Sequence, residues 1–143
     1  MKSQGKAEHK KFLDVLLLED DPIVQHVHHY MLERLSCRVD SAATGLEALE
    51  KLHQKMQMPN TPYDIVFVDL GLPDIAGFEV IKRIHDLKVS QSIESPNIVV
   101  LTCYSASEQK SACEALGANH VLQKPVDIQA MRQFLSQFNT TSH

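Results

Sequence analysis

The sequence predicts a doubly wound (βα)5 domain, a parallel five-stranded sheet with helices on both faces. Three observations carry this. The apolar runs Val15-Leu16-Leu17-Leu18, Ile65-Val66-Phe67-Val68 and Ile98-Val99-Val100-Leu101 show no alternation, the mark of strands buried on both faces. Stretches with helical spacing and capping signals separate them. Strand and helix alternate five times, and right-handed crossovers then require a parallel sheet covered on both sides.

Residues 1–12 are polar and read as a linker or a cloning remnant; the domain spans 13–138, and 139–143 form a polar tail. The first strand runs from Asp14 to Leu18 and ends on Glu19-Asp20-Asp21. Pro22 suits a first helical position with Asp21 as its cap, and Ile23, Val27, Met31 and Leu35 recur at the spacing of a face turned to the sheet. Arg38 to Ala42 alternates and reads as an edge strand. Thr44 and Glu47 form a capping box for a helix with the stripe Leu49, Leu52 and Met56, broken by Pro59 and Pro62. Met56-Gln57-Met58 is that helix's end.

The central strand, Ile65 to Val68, stops on a carboxylate, Asp69, and opens into a loop constrained by Pro73 and Gly77. Phe78, Ile81, Ile84 and Leu87 mark the third helix, and Ser90 to Pro96 is a long polar connection. The strand Ile98–Leu101 ends on Thr102. Ser105 and Glu108 make a second capping box for a helix through Ala112, Cys113 and Leu116 to Gly117. Val121-Leu122 is a short last strand before Lys124-Pro125. Asp127 caps the closing helix, with Ile128, Met131, Leu135 and Phe138 on one face.

At 143 residues and 43% hydrophobic content the chain is long enough for one domain with its own core. Its 14 basic and 18 acidic residues, net −4, with no basic run beyond Lys10-Lys11, give no support to nucleic-acid binding. No apolar run approaches the roughly 18 residues a membrane span needs. The amino terminus lacks the apolar core of a signal peptide. Three cysteines without paired spacing fit a reducing compartment, so the chain reads as cytoplasmic.

Ligands of open α/β sheets collect at the carboxyl ends of the strands. There this sequence places Glu19-Asp20, Asp69, Thr102 and Lys124. Taken singly these are a capping Asp, a strand-end Thr and a snorkelling Lys. Together, the carboxylates need a cation between them, and a hard ion such as Mg²⁺ suits them. A hydroxyl and an ammonium opposite could then neutralise phosphoryl oxygens, so the set describes phosphoryl transfer to an Asp nucleophile.

On Leu18-Glu19-Asp20-Asp21-Pro22, Asp69-x-x-x-Pro73-x-x-x-Gly77, Thr102 and Lys124-Pro125, residues 13–138 resemble the receiver domain of two-component response regulators and hybrid sensor kinases. The resemblance implies a flavodoxin-like fold with strand order 2-1-3-4-5. It implies that Asp69 takes a phosphoryl group from a phosphohistidine on a histidine kinase or a histidine phosphotransfer protein. Asp20, Asp69 and the backbone carbonyl of Gly71 would ligate Mg²⁺, with Glu19 acting mainly through water. Thr102 and Lys124 would contact the phosphoryl oxygens, and Lys124-Pro125 is often cis in the family. The chain itself would be no enzyme beyond its own phosphorylation and dephosphorylation. Output would pass to a partner, with phosphorylation-dependent dimerisation as one outlet. The acidic opening, the Leu70–Asp74 loop and the linker-like start resemble hybrid-kinase receivers more than stand-alone regulators.

Four positions depart from the family or extend it. Val121 stands where the family has Tyr or Phe, so the usual aromatic switch is not expected, and His120 should face the other way. Cys103 replaces a small Ala or Ser and reads as a packed residue. Ala76 replaces a common Asp. Tyr104, like Gly71, lies two residues beyond a strand-end site residue, and is expected to shield the phosphoryl group from water; an unchanged rate of phosphate loss in Tyr104→Ala would remove that role. His26, His28 and His29, with His9 and His53 elsewhere, read as a solvated helix face rather than a transition-metal site. Two other functions fare worse. An Asp-nucleophile phosphohydrolase of the haloacid dehalogenase type needs a second acid at the position of Gly71. A flavodoxin-like nucleotide or flavin binder wants a Gly- or Ser/Thr-rich loop where three acids stand.

Overall fold

The first strand, β1 (Leu13–Leu18), pairs in parallel with β2 (Cys37–Ala42) on one side and β3 (Ile65–Asp69) on the other. β4 (Asn97–Thr102) and β5 (His120–Gln123) complete a sheet of order β2-β1-β3-β4-β5. The computed structural model describes residues 12–58, 62–70, 77–103 and 105–138. Each crossover carries a helix: α1 (Pro22–Arg34), α2 (Gly45–Met56), α3 (Gly77–Ser90) and α4 (Ala106–Ala115), with α5 (Ile128–Leu135) closing the chain before a 3-10 turn at Ser136–Phe138.

Alternate residues of the central strands feed two separate cores, as the two-residue period of a strand requires. Leu16, Leu18, Val66, Val68, Ile98 and Val100 pack with Leu52, Ile81 and Cys113 from α2, α3 and α4. Val15, Leu17, Ile65, Phe67, Val99 and Leu101 pack with Leu32, Met131 and Phe134 from α1 and α5. Burying one such side chain is worth about 1.5–3 kcal/mol, whereas an exposed i,i+4 pair such as Arg83–Glu79 is worth about 0–1 kcal/mol. The strands therefore hold the fold.

Asp21 caps α1 by accepting from the N–H groups of Ile23 (2.9 Å) and Val24 (3.2 Å), with Pro22 at the first position. Thr44 Oγ1 accepts from Glu47 N at 3.1 Å, while Glu47 Oε1 takes the N–H of Ala43 rather than that of Thr44. Asp127 accepts from Ala130 N. Ser105 precedes α4 but makes no side-chain cap bond; its hydroxyl meets Ser107 Oγ instead, and the expected second capping box is absent.

On three helices part of the expected stripe lies elsewhere. Met31 and Leu35 at the end of α1, Ile81, Ile84 and Leu87 on α3, and Cys113 and Leu116 at the end of α4 pack on the cores as expected. On α1, Ile23 is 75% exposed and Val27 and Tyr30 are also outside, while His28 and Leu32 face the sheet. His28, 4% exposed, is therefore not on a solvated face. On α3, Phe78 is outside, and Val80 and Lys88 are buried with Ile81 and Ile84. On α4, Ala112 is exposed and Cys113 carries the contact.

Candidate functional site

In a parallel sheet all the carboxyl ends open on one edge, and the register here brings specific ends together. Leu18 pairs with Val68, so Glu19 follows beside Asp69; Asp69 pairs with Leu101, and Thr102 with Gln123, next to Lys124. One carboxylate oxygen each from Glu19, Asp20 and Asp69 lie within 4.8 Å of one another. Glu19 and Asp69 are buried and Asp20 is exposed. Lys124 Nζ stands 3.1 Å from Glu19 Oε1 and 3.4 Å from Asp69 Oδ1.

Backbone bonds hold these side chains in place. Glu19 N donates to Ala42 O, continuing the β1–β2 ladder, and Asp21 N donates to Glu19 Oε2 at 3.2 Å. Gln25 Nε2 donates to both Glu19 O (2.9 Å) and Ala42 O (3.1 Å), tying α1 to the strand ends. Sequence reasoning passed over Gln25; its one signal was a position one turn past the Asp21 cap. Lys124 N donates to Thr102 O at 2.7 Å, joining the ends of β4 and β5, and Lys124-Pro125 is cis. Gly77 is required for close approach. A Cβ there would lie 2.5 Å from Leu70 Cα and 2.9 Å from Asp69 O, so glycine lets α3 start directly against the end of β3.

Burial, and then the charge of Asp69, raise the pKa of Glu19, against the opposing hydrogen bond from Lys124. Burial disfavours the Lys124 ammonium, yet its bond to Glu19 and the charges of Asp69 and Glu19 outweigh that and raise its pKa. One ammonium faces three carboxylates. That excess of hard oxygen donors fits a small divalent cation such as Mg²⁺, held by one or two carboxylates with the remaining positions left to waters.

The remaining predicted positions divide. Thr102 is buried at the end of β4, whereas Cys103, expected to pack, is exposed because it lies just past the last residue of the β4–β5 ladder. Val121 packs on the core shared with α4, while His120 turns to the opposite face, edge-on to Phe134 at 5.1 Å and Phe138 at 5.9 Å. Pro125 is exposed. Gly71, Pro73, Ala76 and Tyr104 lie outside the described residues.

The family model of the response regulator receiver domain matches residues 15–136. The chain belongs to that family. This receiver is 27% identical over 124 residues to hybrid signal transduction histidine kinase L of Dictyostelium discoideum, covering 87% of the receiver and 7% of the kinase. It is 28% identical over 126 residues to an uncharacterized 14.6 kDa protein of Leptolyngbya boryana, covering 88% of the receiver and 89% of that protein. The chain spans 7–15% of the length of several curated relatives. Among solved structures, the response regulator TrrA of Thermotoga maritima in complex with Mg(2+)-BeF has a TM-score of 0.72 and 24% identity, covering 88% of the receiver and 98% of that chain. The receiver is thus a signalling domain of two-component and phosphorelay systems, homologous to receivers of hybrid kinases. No helix among the described residues is long and apolar enough to cross a membrane.

Proposed function

We propose that this receiver accepts a phosphoryl group on Asp69 from a phosphohistidine of a histidine kinase or a histidine phosphotransfer protein, with Mg²⁺ bound at the acidic edge. The observation that carries the reading is the convergence of Glu19, Asp20 and Asp69 on one point, with the Lys124 ammonium touching two of them. An Asp69 carboxylate oxygen attacks phosphorus, the P–N bond breaks, the imidazole leaves with the electron pair, and an acyl phosphate forms on Asp69. Lys124 pairs with a phosphoryl oxygen and the Thr102 hydroxyl donates to another. Asp20, Asp69 and the Gly71 carbonyl would hold Mg²⁺, and Glu19 would act through water. The ion supplies charge neutralisation on the transferring group. TrrA, similar in fold, was solved with Mg(2+)-BeF, which supports the assignment.

α1 begins beside the site and leaves Ile23, Val27 and Tyr30 exposed, an apolar surface on which a donor protein can rest. We place the receiver in the cytoplasm, and its net charge of −4 gives no support to direct nucleic-acid binding. The output surface is formed by β5 and its flanking helices, whose population shifts on phosphorylation. The similarity to hybrid kinase L supports a receiver taken from a hybrid sensor kinase; the coverage of the Leptolyngbya protein supports a stand-alone regulator equally well.

Intact-mass analysis after incubation with Mg²⁺ and a small phosphodonor tests the chemistry. The parent should gain one phosphoryl group, and Asp69→Asn none. A parent that stays unmodified, or an Asp69→Asn variant that gains the group equally, sinks the proposal.

A further inference from the structure

The edge of the sheet opposite the acidic site carries a half-open cavity of about 380 Å³ between the end of α3, the start of β4 and the turn before β5. This volume is in the range of small-molecule sites, about 300–1,000 Å³. The two edges are roughly 17 Å apart, five strand steps of about 3.3 Å along β4. The cavity is independent of Asp69.

Its unusual member is Lys88. As a residue it is 8% exposed, so its stem is buried, but its ammonium is not sealed and reaches the solvent of the cavity, with no side-chain hydrogen bond or ion pair among the described residues. A lysine with a buried stem and a solvent-facing head presents its charge to whatever enters the cavity. Burial holds its pKa below the ordinary value, with the charge of Glu94 acting against that. Glu94 lines the same cavity and is exposed. The two opposite charges thus share one cavity without touching.

The walls are fixed. Asn119 N donates to Ile98 O and Asn119 Oδ1 accepts from Ile98 N, both at 2.8 Å, which leaves its amide NH₂ as the remaining donor of that side chain. Gly117, at φ +113, brings the backbone so close to the His85 ring that a Cβ would lie 2.4 Å from it. Ile93 adds an apolar side.

A simple anion would be drawn to Lys88 and repelled by Glu94, and a simple cation the reverse; a molecule with both charges satisfies both groups. The geometry points to a binding site for a small zwitterion of the α-amino-acid class, its carboxylate against Lys88 and Asn119 and its ammonium toward Glu94. This goes beyond the receiver's phosphoryl chemistry and does not depend on it.

The test uses alanine, propionate and ethylammonium, which differ by one charged group each, titrated into the full chain and followed by amide NMR shifts. Alanine should shift Ile93, Gly117 and Asn119 saturably. Propionate and ethylammonium should bind at least about tenfold more weakly, since each lacks one charge-assisted contact. Lys88→Met, which keeps the apolar stem, and Glu94→Gln, at an exposed position, should each weaken alanine about tenfold while the spectrum elsewhere stays that of the parent. Absence of a saturable shift overturns the proposal, as does propionate binding as tightly as alanine. Undiminished alanine binding in the Glu94→Gln variant also overturns it, whatever the folding of Lys88→Met.

Discussion

Lys124 Nζ lies 3.1 Å from Glu19 Oε1, although 105 residues separate the two in the chain. The same ammonium is 3.4 Å from Asp69 Oδ1. It is the one cation in direct contact with this buried acidic group among the described residues. Lys124→Met should therefore lower stability in chelator by about 3 kcal/mol, the low end for uncovering a buried charge, because the rim stays open to water on the Asp20 side. Urea denaturation measures it. Adding Mg²⁺, or Asp69→Asn in the same background, should recover part of the loss. An unchanged midpoint would mean that water alone compensates the acids.

Gly77→Ala is expected to damage stability and site together. The new Cβ would meet Leu70 Cα at 2.5 Å and Asp69 O at 2.9 Å, backbone atoms that cannot rotate aside. Overpacking of this kind costs about 1–3 kcal/mol. Because the displaced carbonyl belongs to Asp69, phosphorylation should slow as well. Urea midpoint and phosphorylation rate, measured on one preparation, check this; parental values for both contradict it.

The sheet and the convergence of its acidic ends could be read in advance because both rest on strong patterns. A strand buried on both faces is a continuous apolar run, and its last residue is fixed by where the run stops, at Leu18, Val68 and Leu101. Helix orientation was less readable. On α1 the carboxyl half of the expected stripe, Met31 and Leu35, packs on the core, but Ile23 and Val27 stay outside while His28 and Leu32 face the sheet. In that orientation Gln25 reaches the strand ends, donating to Glu19 O and Ala42 O. His28 was misplaced for a related reason: a polar residue type at a buried position leaves no periodic signal. Ser105 failed as a cap because its hydroxyl found Ser107 instead.

The three cysteines should separate sharply in reactivity. Burial pushes the Cys37 thiol up to about 12 and raises that of Cys113 as well, whereas Cys103 is exposed. Thiolate is the reacting species. A thiol reagent added to the folded protein should modify one cysteine rapidly, and Cys103→Ser should abolish that phase. In denaturant all three should react. Rapid labelling of two or more in the native state would contradict the packing of α4 or β2.

Stability should fall on mild acidification, and His28 should be a main cause. Its Nδ1 is sealed from solvent without a hydrogen-bond partner among the described residues, on a helix face packed against the core. Burial, and then the charge of Lys124, lower its pKa from the ordinary 6.5. The unfolded chain takes up a proton near 6.5, while the folded protein resists until lower pH. The unfolded state thus binds more protons in that window, and stability rises with pH there. The contribution is complete above 6.5 and is lost as pH falls toward the depressed folded value. His28→Leu removes both the titration and the unsatisfied nitrogen, so it should gain about 1 kcal/mol near pH 7.5 and flatten the pH dependence. His120, also lowered by burial, is present in both proteins and cancels in the difference. Urea denaturation from about pH 7.5 to about pH 5.5 decides it. Parallel curves for parent and variant would assign the acid sensitivity to another group.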